Sequence, residues 1–265
     1  MEFSIKYVDE SKVDDLCLLC IPAQNASDPV FARGVEEKRK WSTEMLRKFR
    51  SFAKLAYVGS SPVGLIQYEP IVDERVVKIH CIYVPERTHW RKGIGKKLLC
   101  SVMEDAKNPL AWFGNEPALA LVTRTFPGEK PGQCPARLFF TRMGFRQVGE
   151  DPDFLYYPMK EGFAYRPVVR KEAEYVPQRE DEGKALIIYG PSPCPFSYVF
   201  LKRAEQAIVD VAPNITIRWI DKSEEPEEVM KRGNVEGCIV NAKLIRSFVL
   251  DKDSFKKEVR EAMNR

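Results

Sequence analysis

The sequence lacks any run of about eighteen consecutive apolar residues, the length a helix needs to cross a bilayer. It opens Met1-Glu2-Phe3-Ser4-Ile5-Lys6, without a basic and apolar leader, so a cytoplasmic protein with no membrane partner is expected. An excess of one charge is lacking too. Against 42 Lys and Arg stand 38 Asp and Glu, and a net charge of +4 points to a local anion site rather than to a nucleic-acid partner. The seven cysteines are odd in number and scattered, which argues against a secreted disulfide framework and for reduced thiols. Cys17 and Cys20 form a Cys-x-x-Cys pair, but within an apolar helical stretch and with no second pair of ligands downstream. Core packing is the favoured reading, and no metal site is expected. What is present, 265 residues with 44% apolar and 30% charged, suits one large domain or two small ones.

One stretch organises the rest. Val76 to Pro85 is rich in β-branched and aromatic residues and reads as a buried or half-buried strand ended by Pro85. A basic turn, Arg87 to Lys92, leads into Gly93-Ile94-Gly95-Lys96-Lys97, after which Ile94, Leu98, Leu99, Val102 and Ala106 recur at helical spacing. The two glycines remove β-carbons where the backbone enters the helix, so successive amides can close on an anion. The positive end of the helix dipole points at the same spot, and Lys92, Lys96 and Lys97 add full charges. A bare Gly-x-Gly also serves as a structural turn, and the surrounding charge is what favours a phosphate cradle. The nucleotide-triphosphate loop needs a longer spacer and a Lys-Ser or Lys-Thr ending, and the dinucleotide fingerprint needs a third glycine where Leu98 stands. What remains is a pyrophosphate site of another kind.

Ile82-Tyr83-Val84-Pro85, the basic turn and Gly93-Ile94-Gly95-Lys96-Lys97-Leu98-Leu99 resemble the acetyl-CoA-binding motif of the GNAT superfamily of N-acetyltransferases. Ala136 to Phe145 resembles the helix and Gly-Phe turn that follow strand five in that family. The resemblance implies an α/β (α+β) fold, a mixed, mostly antiparallel sheet flanked by helices, with acetyl-CoA as cosubstrate. It places the CoA pyrophosphate on the amides of Gly93, Ile94, Gly95, Lys96 and Lys97, and the pantetheine arm on the backbone of Ile82, Tyr83 and Val84. Arg91, Lys92, Gln133 and Arg137 complete the expected cofactor-binding set. Three positions depart from the family pattern. Trp90 stands where Arg or Gln is usual, with Arg87 or Arg91 as substitutes; Phe140 stands where a Tyr often protonates the departing thiolate; and a common Asn is matched only by Gln133.

Elsewhere the first half reads as a strand over 3–8, a short helix over 11–20, a loop over 23–35, and an amphipathic helix over 36–52 with Trp41, Met45 and Phe49 inward. Two hairpin strands, 54–59 and 63–68, lead into the central strand, and 118–123 is the next apolar strand. Between them lies the chemistry. Forming an amide from acetyl-CoA needs a neutral amine, so a base must take a proton from an ammonium. His80 is one candidate, two residues before Ile82 and so expected on the same face; a hydrogen-bonded core histidine is the other reading. Glu69 is the second candidate base. Cys81 and Cys134 read as structural thiols, because direct transfer needs no protein nucleophile.

Between Lys160 and Lys184 prolines and a charged run interrupt the periodicity, which sets the expected domains at 1–160 and 184–265 with a linker over 161–183. The order beyond it, strand, helix, strand, helix, hairpin, helix, resembles the thioredoxin fold, and Cys194-Pro195-Phe196-Ser197 stands where such proteins carry their active thiol. A thiol at a helix N-terminus is expected to be a better nucleophile, while Ser197 leaves no resolving cysteine. The two halves together resemble YoaP-like acetyltransferases. The expected function is acetyl transfer to a primary amine of a small molecule. A thiol or redox protein acting through Cys194 and a non-catalytic CoA-binding sensor are the alternatives, with monomer and homodimer both open.

Overall fold

The computed structural model describes residues 2–126, 132–168 and 174–264. Two compact units emerge from the packing: residues 1–22 with 42–169, and residues 23–41 with 170–265.

The first unit is built on a seven-stranded sheet. Its elements begin with β1 (Ser4–Tyr7), α1 (Val13–Leu18), the helix α2 (Pro29–Phe49) that enters from the second unit, β2 (Ala53–Val58), β3 (Ser61–Ile71) and β4 (Val76–Tyr83). They continue with α3 (Ile94–Lys107), β5 (Ala120–Arg124), α4 (Ala136–Arg142), β6 (Arg146–Val148) and β7 (Asp151–Pro158). The strand order is β1-β2-β3-β4-β5-β7-β6, and only β4 and β5 run parallel. Leu98, Leu99 and Val102 of α3 pack with Ile66, Val77, Ile79 and Leu121 on one face of the sheet, joined by Phe140 and Phe145. The other face buries Val76, Ala120, Val122 and Tyr156 beneath Tyr165, whose hydroxyl donates to Glu74. Cys17 and Cys20 are both buried.

The expected loop over 23–35 is shorter than the sequence suggests, because α2 begins at Pro29. Proline suits a first helical position, and the Val30 amide donates to Asp28 Oδ1 at 2.8 Å, so this helix start has both a stop and a cap. Gly34, which reads as a loop residue, lies inside the helix. A β-carbon there would sit 2.1 Å from the Pro195 carbonyl oxygen, so glycine is required for close approach within the second unit.

That second unit holds β8 (Lys184–Tyr189), α5 (Phe196–Val211), β9 (Thr216–Asp221), α6 (Pro226–Met230), β10 (Gly237–Val240), β11 (Lys243–Ile245) and α7 (Lys252–Met263). Its sheet runs β11-β10-β8-β9, with β8 and β9 parallel. Ala204 and Ile208 of α5 and Phe255 and Val259 of α7 cover one face, and Val229 of α6 packs with Ile188 and Ile220 on the other. The first half of α2 lies across the ends of β8 and β9. Arg33 reaches Asp221 at 2.8 Å and the Tyr189 hydroxyl at 3.0 Å, and Phe31 meets Phe196 edge-on at 5.3 Å. Glu37 is 2% exposed, and burial pushes its carboxyl up despite Lys40 and Arg33 beside it. Of the expected linker, Tyr165 packs on the first unit and Tyr175 on the second, and 169–173 lie outside the described residues.

A buried charge holds the start of this unit. Arg232 is 1% exposed; its Nε and Nη2 donate to Asp181 at 2.8 and 2.6 Å, and its Nη1 donates to the Glu228 carbonyl at 2.7 Å. The hydrogen bonds to Asp181 hold its guanidinium well above its ordinary pKa. Removing one partner of such a buried pair strands the other, at a cost of about 3–5 kcal/mol, whereas removing both costs much less. Arg232→Met is therefore expected to accelerate hydrogen exchange across β8 and β9 sharply, and Arg232→Met with Asp181→Leu to restore most of the protection. Equal protection in wild type and the single variant would contradict this account of the pair.

Candidate active site

The site follows from a fault in the sheet. On β4, Val77 and Ile79 pack into the α3-side core, and so do Ile82 and, just past the strand's end, Val84, although odd and even positions of one strand face opposite ways. The pairing explains this. Tyr68 of β3 opposes Ile79, but Gln67 opposes Cys81, so His80 is the additional residue of a bulge. The step places His80 on the face opposite Ile82, which corrects the same-face expectation: a regular alternation does not survive a bulge. His80 shares its face with Lys78 and Glu69, which are cross-strand partners.

The same place is where β4 leaves β5. Their parallel pairing ends at Ile79 and Thr123, and Thr123 Oγ1 donates to the Ile79 carbonyl at 3.0 Å, closing the last rung. Beyond it β4 runs on to Tyr83 with no strand among the described residues on that side, and a cleft of about 840 Å³ opens. His80, Cys81, Ile82 and Val84 form one wall, and Gln133, Cys134 and Phe139 lie among the residues opposite. Arg91, Gly93, Ile94, Gly95 and Lys96 supply the end of the cleft. Both histidines of the chain, His80 and His89, line it.

The end of the cleft fits a pyrophosphate. Gly93 has φ +81°, a conformation that favours glycine, and it caps α3 without any side-chain hydrogen bond to the first-turn amides. These amides are left for an anion, at the positive end of a 14-residue helix. A β-carbon at Gly95 would meet Ile82 and Phe139 at 3.7 Å, ordinary contact, so its own surroundings do not demand glycine. Close approach of a ligand to the backbone would. His89 Nδ1 is buried and takes no hydrogen bond among the described residues, a polar atom that a ligand in the cleft can satisfy. Among the described lining residues there is no Asp or Glu, while Arg91, Lys96, Arg124 and Arg142 are cationic. Trp90, in place of the family's usual Arg or Gln, donates from Nε1 to the Val84 carbonyl at 2.8 Å and so pins the turn to the end of β4.

Not every expected site residue is gathered here. Tyr83 is half-buried on β4, and neither it nor Lys92, Lys97 or Arg137 lines the cleft. Lys97 instead stacks over the Phe3 ring at 5.0 Å. Arg87 lies over Trp90, leaving Arg91 as the arginine of the turn that reaches the cleft. Phe140 does line the cleft, at the edge of the core, but has no hydroxyl to offer. Cys194 belongs to the second unit, exposed in the turn before α5, where its amide donates to Ser192 Oγ at 3.3 Å. Thr123, Arg124 and Arg142 were not singled out from sequence. Thr123 carried one usable signal, a hydroxyl at the end of an apolar strand, and the two arginines carried none.

Behind His80 stands Glu69. His80 Nε2 lies 3.1 Å from Glu69 Oε1, and Lys78 Nζ lies 3.4 Å from the same oxygen. Burial pushes the Glu69 carboxyl up, but the His80 imidazole and Lys78 together outweigh it and hold the group down at about 2. A carboxylate depressed in the folded state stabilises the fold fully above its unfolded pKa of 4.5, and that contribution disappears as pH falls through about 2. Acid titration followed by circular dichroism is therefore expected to cost wild type more stability than Glu69→Gln between those limits. Parallel loss in the two proteins would contradict the pairing.

Comparison with known proteins agrees with the cleft. Residues 22–126 match the model of the Acetyltransferase (GNAT) family. No curated protein matches the chain. Among solved structures, Ard1 from Thermoplasma volcanium is 16% identical, with 61% of this chain and 100% of that one covered at a TM-score of 0.42. The PaiA N-acetyltransferase from Thermoplasma acidophilum in complex with coenzyme A is 15% identical, covering 59% and 98% at 0.42. A GNAT family acetyltransferase from Brucella melitensis in complex with acetyl-CoA is 15% identical, covering 62% and 92% at 0.40. Likenesses this distant do not carry the assignment, which rests on the family match. That match makes residues 22–126 similar to an acetyltransferase (GNAT) domain, the domain of a family of acyltransferases whose cosubstrate is acetyl-CoA.

Proposed function

We infer that the protein transfers the acetyl group of acetyl-CoA to a primary amine of a small molecule, with His80 and Glu69 as the base. The observation that carries this reading is their 3.1 Å contact, on the strand that lines the cleft and at the point where β4 and β5 part. The amine attacks the thioester carbonyl as its proton passes to the pair, and the Glu69 carboxylate stabilises the imidazolium that results. Arg91, Lys96 and the amides of Gly93 to Lys96 hold the phosphates and orient the thioester, whereas the Lys97 amide already donates to the Gly93 carbonyl at 2.9 Å within α3. With Phe140 where an acid is common in the family, the sulfur leaves as a thiolate. That costs little near neutral pH, because ordinary thiols titrate near 8.5.

Domains over 1–160 and 184–265, joined by 161–183, are supported by the two separate sheets, with 23–41 packed as part of the second. A thioredoxin-like, YoaP-like second domain is supported by its strand order and by the place of Cys194 before α5. Against redox work through Cys194 stands the resolving position, where Ser197 shares a 2.8 Å hydrogen bond with Ser192. No helix among the described residues is long and apolar enough to cross a membrane, and a cytoplasmic site of action is part of the proposal.

Thiol release from acetyl-CoA over a panel of primary amines tests it. His80→Ala is expected to lower kcat by about 10²-fold, as loss of a general base does. Glu69→Gln should lower it less, and KM for acetyl-CoA should stay within about twofold in both. Unchanged kcat in both variants would remove the pair from the chemistry.

A further inference from the structure

Acetyl transfer through His80 and Glu69 leaves two thiols of the cleft unused. Cys81 follows the bulge residue His80, lies beyond the last rung between β4 and β5, lines the cleft and holds no disulfide. Cys134 lines the cleft as well, and its thiol is exposed. Direct acetyl transfer requires neither. If this cleft is the CoA site, the reading on which the proposal rests, it takes a ligand whose reactive end is itself a sulfur. The phosphates of that ligand dock at the Gly93 turn, and its arm follows β4, so the sulfur is delivered to the strand that carries Cys81.

We propose that the cleft is also a thiol-modification site, in which Cys81 is captured by the disulfide form of CoA as a mixed disulfide that shuts the enzyme off. The Cys81 thiolate attacks one sulfur of the CoA disulfide. The S–S bond of the ligand breaks as the Cys81–S–S–CoA bond forms, and the other half leaves as CoA thiolate, which takes up the proton Cys81 released. Cys81 is oxidised and the departing sulfur is reduced, so the CoA disulfide is the only oxidant consumed. The bound half fills the place of acetyl-CoA, and any small thiol reductant reverses the step.

The selectivity comes from docking. A disulfide without the nucleotide arm has no use for the uncapped amides of α3 or for Arg91 and Lys96, and it must find half-buried Cys81 by collision. One that carries the arm meets Cys81 as a tethered neighbour at high effective concentration. Exposed Cys134 has no such filter and serves as the internal control for ordinary thiol reactivity.

The test is to incubate the full-length wild-type protein with equal concentrations of CoA disulfide or glutathione disulfide and to map adducts by mass spectrometry, with CoA binding measured in parallel by equilibrium dialysis. The adduct on Cys81 is expected to form at least about tenfold faster with CoA disulfide, to be suppressed by excess acetyl-CoA, and to be reversed by dithiothreitol with return of activity. Folded Cys81→Ser should lose the fast phase. If CoA binds but Cys81 reacts equally with both disulfides, or the fast adduct maps to Cys134, the proposal is overturned while the cleft reading stands. If CoA does not bind, the cleft reading itself falls and the proposal with it.

Discussion

The parting of β4 from β5 is the constraint on which the rest of this site depends. Two parallel strands hydrogen-bonded along their full length would leave no room for a ligand arm and no unpaired backbone edge to receive one. Here the pairing stops at Ile79 and Thr123, and the Thr123 hydroxyl satisfies the Ile79 carbonyl that the separation would otherwise strand. The bulge at His80 belongs to the same event. It lets Val77 and Ile79 before it, and Ile82 and Val84 after it, bury themselves in one core, while a titratable side chain turns to the opposite face.

Electrostatics then gives the cleft its direction. The cationic end, with Arg91, Lys96 and the first turn of α3, attracts phosphates, and the ionised Glu69 behind His80 supports positive charge where an amine must lose a proton. The two ends favour opposite charges. A cosubstrate with an anionic head and a neutral reactive tail, meeting a cationic acceptor, suits that polarity. The phosphate attraction involves exposed cations and weakens with salt, whereas the half-buried His80–Glu69 contact is screened less.

The elements legible in the sequence were those fixed by local chemistry. Gly93-Ile94-Gly95 and the periodic Ile94, Leu98 and Val102 announced the strand, turn and helix of the cleft, and the apolar runs announced β5 and β8. What pairing and long-range contact decide was not legible. The face of His80 depends on a bulge that no single residue encodes, and the step from Gln67 to Tyr68 on the partner strand is visible only once the register is known. The start of α2 is hidden in the sequence because Gly34 reads as a loop residue, and only the Pro195 carbonyl pressed against it explains a glycine inside the helix. Lys92 and Lys97 stand next to the phosphate turn in sequence and Arg137 is implied by the family resemblance, yet none of the three lines the cleft, because a side chain's direction is set by the fold and not by its neighbours in the chain. The contact of Glu69 with His80 crosses strands, so the sequence offers each as a base by residue type and place on its own strand, and their pairing only once the register is known.

The central claim, that the cleft beside the Gly93 turn holds acetyl-CoA, is tested most directly by calorimetric titration of acetyl-CoA into wild type and into a folded Gly93→Glu, Gly95→Glu double variant. The account predicts saturable binding to wild type and loss of that binding when two carboxylates are placed against the uncapped amides of α3. Binding of equal strength in both proteins would move the phosphates elsewhere and contradict it.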